Sequence, residues 1–353
     1  DIVHTLLILN LGDNINKFTS VFVQNLPDLI YIFRRTSKGC GNKIKPFPNP
    51  KQNILVEKLN YHPNRLAVGL VKKRTDTIGL IISDVSNVFF SNLAKGVEDE
   101  CRKKGWNLFL CNTNDKHTRD LSYIQALADK GVDGMSLDSD KKKAMESIKL
   151  FEKLKMPFVM IDRFLEEATC SSVVVDHVQG GYAATKYLLD HGHKKIGCIT
   201  GPRELEDSCD RFAGYKKALD EYEVAFRKEL VYEGKYDCES GATGADYLLK
   251  QDVTAIFAFN DMSAYGAYNR MNQKGIKIPE EISLIGYDDI FFSELLDVPL
   301  TTVHQPVYDM GVEAVRQLAA EVESERGSRK CITFQPVLIE RASVADKKRS
   351  KIK

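Results

Sequence analysis

Thr77-Ile78-Gly79-Leu80-Ile81-Ile82 is a short apolar run that reads as a buried β-strand. Directly after it, Phe90, Leu93, Ala94, Val97 and Cys101 recur at offsets of 3, 4, 7 and 11. That spacing is one face of an amphipathic helix, and Gly105 is placed to close it. The pattern then repeats. Trp106 to Cys111 is the next strand, Thr118 to Lys130 the next helix and Pro157 to Ile161 a further strand. It restarts with a strand at Ser172 to Val175, a helix at Gln179 to Asp190, and a strand at Ile196 to Thr200 ending in Gly201-Pro202. After a helix containing Tyr215 and Leu219, Thr254 to Phe259 is a strand and Met262 to Gln273 a helix stopped by Gly275. Ile282 to Gly286 is another strand. Strands alternating with helix-period segments indicate βαβ units, here two successive doubly wound parallel sheets of about 100–130 residues each.

The chain has 353 residues, which suggests two or three domains at roughly 100–200 residues each. With 43% hydrophobic and 28% charged residues it is neither disordered nor collagen-like nor a small disulfide scaffold. The 50 Lys and Arg against 49 Asp and Glu leave a net charge of +1, so a polyanionic partner can show only through local clustering. No apolar run approaches the roughly 18 residues that span a bilayer, so no membrane contact is expected. Leu6 to Leu9 has no Lys or Arg before it and is too short for a signal peptide, which makes a cytoplasmic location the expectation. The eight cysteines (Cys40, Cys101, Cys111, Cys170, Cys198, Cys209, Cys238 and Cys331) form no C-x-x-C pair and no metal spacing with His. They read as reduced, buried small hydrophobes, and neither a metal nor a cofactor is expected.

Residues 1–75 differ in character. Residues 1–50 show no sustained period, and Lys45-Pro46-Phe47-Pro48-Asn49-Pro50 reads as an irregular linker. Between Lys58 and Thr75 stand Lys58, Arg65, Lys72, Lys73, Arg74 and His62 with no Asp or Glu. Such a stretch suits a phosphate backbone, and it equally suits a soluble linker. Lys347-Lys348-Arg349-Ser350-Lys351-Ile352-Lys353 reads as a disordered basic tail.

In open α/β sheets ligands bind at the carboxyl ends of strands. Here those ends carry Asp84 to Phe90, Asp162-Arg163, Asn260-Asp261 and Tyr287-Asp288-Asp289. Planar carboxylate, amide and guanidinium groups suit a polyhydroxylated ligand, because each hydroxyl both donates and accepts. The C–H faces of a sugar ring pack on aromatic rings such as Phe89 and Phe90. For any single Asp the helix N-cap is the stronger reading, whereas four such strand ends together favour a binding site. A carboxylate pair for glycoside hydrolysis has no support, since adjacent Asp288 and Asp289 do not generally aim at one point. No Ser-His-Asp, phosphate-loop or Gly-rich dinucleotide motif is present, Gly180-Gly181 lying in a helix start, so the chain is not expected to be an enzyme.

Several of these segments resemble the LacI-type (LacI/GalR) bacterial transcriptional repressors. They are Asn60-Tyr61-His62-Pro63-Asn64-Arg65-Leu66-Ala67, Ile78-Gly79-Leu80-Ile81, Ser86-Asn87-Val88-Phe89-Phe90 and Ile161-Asp162-Arg163. The others are Gly192-His193-Lys194-Lys195-Ile196, Asp210-Arg211-Phe212-Ala213-Gly214-Tyr215, Asn260-Asp261, Gly286-Tyr287-Asp288-Asp289 and Pro299-Leu300-Thr301-Thr302-Val303. The match runs in order over about residues 51–345. It implies a periplasmic-binding-protein-like α/β domain at 76–345 made of two doubly wound subdomains joined by three crossovers. The N-subdomain would take 76–175 and 306–332, the C-subdomain 176–303 and 333–345, with 346–353 as the tail. Within the family the site residues are most similar to those of ribose operon repressors. The resemblance makes Asn87, Phe89, Phe90, Asp162, Arg163, Arg211, Asn260, Asp288 and Gln305 the effector contacts, with Tyr236 replacing another aromatic. Ribose is the first expectation and another pentose or hexose the second.

The resemblance also makes 51–75 the end of a DNA-binding headpiece and a hinge helix, with Tyr61, Asn64, Arg65, Ala67 and Leu70 on operator DNA. Leu70 would be the wedge in the minor groove. A free helix from Asn64 to Leu70 is too short to be stable, and Gly69 weakens it, so it would fold only on DNA in a homodimer. Residues 1–50 match poorly: neither Thr-x-x-Asp-Val-Ala nor Val-Ser-x-x-Thr-Val-Ser-Arg is found, and this segment is unassigned. A divergent headpiece, a truncated or recombined gene, or translation out of frame upstream of Lys51 would each produce it. The expectation is thus a sugar-responsive repressor, with a sugar-binding transport or sensor protein as the alternative.

Overall fold

Strand β1 (Thr77–Ile82) is buried from Ile78 onward, and it begins the first of two sheets. The computed structural model describes residues 74–114, 116–137, 141–162, 170–323 and 329–348. The signal-like Leu6 to Leu9, the headpiece segment 1–50, the hinge residues Tyr61, Asn64, Arg65, Ala67 and Leu70, and Arg163 lie outside them. The described residues belong to one compact unit, Arg65–Lys353.

After β1 come α1 (Val88–Lys104), β2 (Asn107–Asn112), α2 (His117–Asp129) and β3 (Gly134–Leu137). The first lobe continues with α3 (Lys141–Leu154), β4 (Phe158–Ile161) and β5 (Ser171–Val175). The second lobe contains α4 (His177–Asp190), β6 (Ile196–Thr200), α5 (Glu206–Glu221), β7 (Val231–Glu233) and α6 (Cys238–Leu248). It goes on through β8 (Ala255–Ala258), α7 (Asp261–Gln273), β9 (Ser283–Asp288) and β10 (Thr301–His304). Then α8 (Val307–Glu323) and β11 (Cys331–Phe334) return to the first lobe, and β12 (Val337–Ile339) to the second.

The strand orders are β11-β5-β4-β3-β1-β2 and β12-β10-β9-β8-β6-β7, parallel throughout except for β12 against β10. These are two periplasmic-binding-protein-like α/β lobes, and the chain crosses between them three times. The crossings lie at 175–177, 304–307 and 334–337. The last falls two residues beyond the expected 332, because β11 stays paired with β5 as far as Phe334 opposite Val175. Apolar clusters lie on both faces of each sheet, which is why the inner strands read as unbroken hydrophobic runs.

Four local differences from the sequence reading have physical causes. Helix α1 buries Phe89, Gly96 and Glu100 as well as Leu93, Val97 and Cys101, while Phe90 and Ala94 are only half-buried. A Cβ on Gly96 would lie 2.1 Å from the Tyr308 carbonyl oxygen, so the crossing of α8 sets the buried face. Strand β2 is the sheet edge, and Phe109 and Leu110 on it are exposed. Of the seven described cysteines, all free thiols, Cys209 and Cys331 are exposed and only Cys101 and Cys198 fully buried, since several lie on edges and helix surfaces. Lys347, expected in a disordered tail, is tied down instead: its backbone N–H donates to the His191 carbonyl and its Nζ to the Glu280 carbonyl, while residues 349–353 lie outside the described ones. Among the described residues, no helix is long and apolar enough to cross a membrane.

Candidate functional site

Each sheet reverses its strand order beside its first strand, between β1 and β3 and between β6 and β8. Ligands of open α/β sheets bind at the carboxyl ends next to such a reversal. Polar residues at the ends of β4, β5, β8, β9 and β10 lie buried around Arg211 of α5, most of them linked by hydrogen bonds.

Asp162 follows β4, with its N–H on the Val173 carbonyl and its backbone left-handed at φ 58°. Its Oδ1 lies 2.9 Å from Nε2 of His177, the first residue of α4. The other ring nitrogen of His177 faces the Tyr287 hydroxyl at 3.2 Å and receives Nε–H of Arg211 at 3.4 Å. Arg211, 4% exposed on α5, also donates to the Phe259 carbonyl, and its outer nitrogen stands 3.5 Å from Asp207. Burial opposes its charge, but the fields of Tyr236, Asp207, Tyr287 and Asp288 outweigh that and hold the guanidinium firmly protonated.

Tyr236 donates its hydroxyl to Asp207 at 2.7 Å, and Asn260 Nδ2 donates to the Tyr236 carbonyl at 2.9 Å. Burial first, and the Asp207 charge second, push the Tyr236 hydroxyl far above its ordinary range, so it stays a donor. Its backbone is at φ 63°, a conformation that a bulky residue holds only when its surroundings enforce it. The ring lies so close to Gly201 that a Cβ there would stand 2.2 Å from the ring carbon bearing the hydroxyl.

Asp288 ends β9 at φ 114° and accepts from Gln305 Nε2 at 2.7 Å. Burial, with the charge of Asp261 adding to it, raises its carboxyl well above the usual carboxylate range despite Arg211 and Gln305. Gln305 is 2% exposed, and its Oε1 is buried with no hydrogen-bond partner among the described residues. A buried orphan acceptor asks for a donor that the described residues do not provide.

Six of the expected contact residues therefore come together: Asp162, Arg211, Tyr236, Asn260, Asp288 and Gln305. The other described ones have local tasks. Asn87 is the N-cap of α1, its side-chain oxygen taking the Phe89 N–H at 3.0 Å. Phe89 lies in the first lobe's core, and Phe90 meets it edge-on at 5.0 Å. Asn260 likewise caps α7 through Ser263. Two strand-end carboxylates are structural: Asp261 binds the Ile290 N–H and the Ser293 and Thr302 hydroxyls, and Asp289 binds His304 and Arg341.

Sequence reasoning passed over His177 and Asp207. His177 follows strand β5 and obeys the same strand-end rule. Asp207 precedes Arg211 by one helical turn, the i, i+4 spacing of a paired charge.

The model described as "Periplasmic binding proteins and sugar binding domain of LacI family" matches residues 75–341. The HTH-type transcriptional repressor PurR of Vibrio atlanticus is 36% identical over 297 residues, spanning 83% of this chain and 89% of that protein. PurR of Vibrio campbellii is 35% identical, with 82% and 87% covered. Among solved structures, a LacI family regulator from Enterococcus faecium with bound ribose superposes with TM-score 0.69 at 28% identity. It covers 76% of this chain and 99% of that one. The transcriptional regulator CelR in complex with cellobiose gives TM-score 0.70 at 28% identity, covering 85% and 92%.

Proposed function

Because this chain belongs to the LacI family, we propose that it is a ribose-responsive transcriptional repressor, working in the cytoplasm as a homodimer on operator DNA. The carboxylates of its cleft serve binding rather than hydrolysis, since the relatives are repressors and not enzymes. The observation that carries the sugar reading is the buried Oε1 of Gln305, without a partner among the described residues, beside the Asp288 carboxyl. A hydroxyl group would donate to that oxygen and accept from a neighbouring donor, and Arg211, Asp162 and Asn260 extend the alternation of donors and acceptors. Arg163 would join them, and Phe89, Phe90 and Tyr236 would line the apolar side of the ring. The ribose-bound regulator among the structural relatives supports the choice of sugar.

The hinge residues Tyr61, Asn64, Arg65, Ala67 and Leu70 would engage the DNA. Sugar drawing the lobes together would disfavour the folded hinge, which needs only the ~1–3 kcal/mol typical of coupled sites. The curated relatives carry the name PurR, so a purine base is the rival effector. Calorimetric titration with ribose, other pentoses and hexoses, and purine bases separates the two. Heat with ribose that vanishes in Asp288→Ala is expected; purine binding with no sugar response would overturn it. A gel shift on operator fragments that sugar abolishes tests the repressor part, and sugar binding with no shift would leave a sensor alone.

A further inference from the structure

His177 belongs to neither the apolar core nor the expected contact set, yet it is 4% exposed and touches side chains of both lobes. The donors around it fix its tautomer. An arginine Nε–H can only donate, so the Nδ1 that receives it carries the lone pair. The proton then sits on Nε2 and points at the Asp162 carboxylate, 2.9 Å away. Placing the proton on Nδ1 instead would set N–H against N–H at Arg211. The line Arg211 to His177 to Asp162 therefore has one direction, and the Tyr287 hydroxyl closes on the same nitrogen.

Both ends of this line are effector contacts in the reading above, on which this inference rests. Asp162 leaves β4 of the first lobe, and Arg211 stands on α5 of the second. With Nε held by His177 and one terminal nitrogen on the Phe259 carbonyl, the guanidinium plane is set from two sides. The left-handed backbone of Asp162 keeps its carboxylate at the imidazole.

We propose that His177 is a positioning residue of the effector site, aligning the Asp162 carboxylate of one lobe and the Arg211 guanidinium of the other on the same ligand. A histidine that merely filled space would need neither partner charged nor the two drawn from different lobes.

Two variants separate the roles. His177→Gln keeps a planar group that donates at one end and accepts at the other, whereas His177→Phe keeps the ring and loses both bonds. Sugar affinity by calorimetry is expected to fall about 10- to 100-fold in His177→Phe. In His177→Gln it should return to within a few-fold of the native value. If His177→Phe does not fold, an affinity loss in His177→Gln as large as that of Asp162→Ala overturns the proposal. A second measurement needs no effector: nitrogen NMR of labelled histidines in the unliganded full chain. The His177 signals, identified by their loss in His177→Gln, should show the proton on Nε2. A proton on Nδ1 would sink the proposal. Absence of heat with ribose in the native protein, with that tautomer intact, would instead count against the sugar.

Discussion

The guanidinium carbon of Arg211 on α5 lies 4.0 Å from the centre of the Tyr287 ring, stacked on a residue of strand β9. The fork is thus held by a flat aromatic face, by His177, by the Phe259 carbonyl and by Asp207. A lysine has a point charge and no plane, so it can satisfy Asp207 but not the rest. Arg211→Lys should fold, lose about 1–3 kcal/mol of stability and bind the effector at least ~10-fold more weakly. Arg211→Ala should cost more, about 3–5 kcal/mol, by leaving buried Asp207 without its cation. Urea melts and calorimetry on both variants check this; equal losses for Lys and Ala would show that the plane does not matter.

Asp288 gives a pH dependence of defined sign. Its carboxyl is raised by burial first and by Asp261 second, so the folded chain favours the neutral form. A carboxyl raised on folding contributes its stability in full below its unfolded pKa of about 4 and loses it as pH rises through the folded value. The native chain should therefore weaken between about pH 4 and about pH 8, the value to which burial raises this carboxyl. Asp288→Asn cannot ionise and keeps the bond to Gln305 by turning its amide, so its urea midpoint should move less over that window. Parallel midpoints for the two proteins would contradict the assignment.

Much of this site was legible because strand ends are easy to find: Ile196–Thr200 is a strand over the same five residues that the apolar run marked. Asp162, Asn260 and Asp288 all follow such runs. Which of those polar groups face a ligand was not legible. Asn87 and Asn260 spend side-chain atoms on the first turns of their helices, and Asp261 and Asp289 spend theirs on loops far along the chain, at Ser293 and Arg341. Those partners are set by tertiary packing, which no local pattern encodes. His177 escaped for the opposite reason, since its partners Asp162 and Arg211 lie 15 and 34 positions away. The short edge strands β7 and β12, three residues each, carry too few alternations to show a period.

Gly181 and Gly214 let α4 and α5 cross closely enough to hold Arg211. A Cβ on Gly181 would lie 2.1 Å from the Arg211 carbonyl oxygen, and one on Gly214 2.1 Å from that of Val178. Both obstacles are backbone, which cannot swing aside. Gly214→Ala should cost about 2–3 kcal/mol and weaken effector binding by pushing α5 outward. Gly275, at φ 71° with nothing near its Cβ position, is the control. Gly275→Ala should cost about 1–2 kcal/mol through backbone conformation alone and leave the affinity unchanged. Equal effects on affinity would separate the site from the helix crossing.

His193 should make the fold acid-labile independently of the site. It is buried under the C-terminal segment, with Nδ1 3.0 Å from the Thr254 hydroxyl and Nε2 3.0 Å from the Ala345 carbonyl. Burial lowers its pKa from 6.5 to about 4, against the Ala345 carbonyl that favours the proton. A group depressed on folding holds its stability above the unfolded value and surrenders it as pH falls through the folded one. Between about pH 6.5 and about pH 4 the chain should thus lose up to about 3 kcal/mol. His193→Gln keeps a donor for Ala345 and cannot take up a proton, so its melting temperature should change little across that window. Loosening should begin at the C-terminal end, because Ala345 is the partner released, and limited proteolysis at about pH 4.5 should clip residues after Val344 first. An equally steep acid transition in His193→Gln would assign the lability to another group.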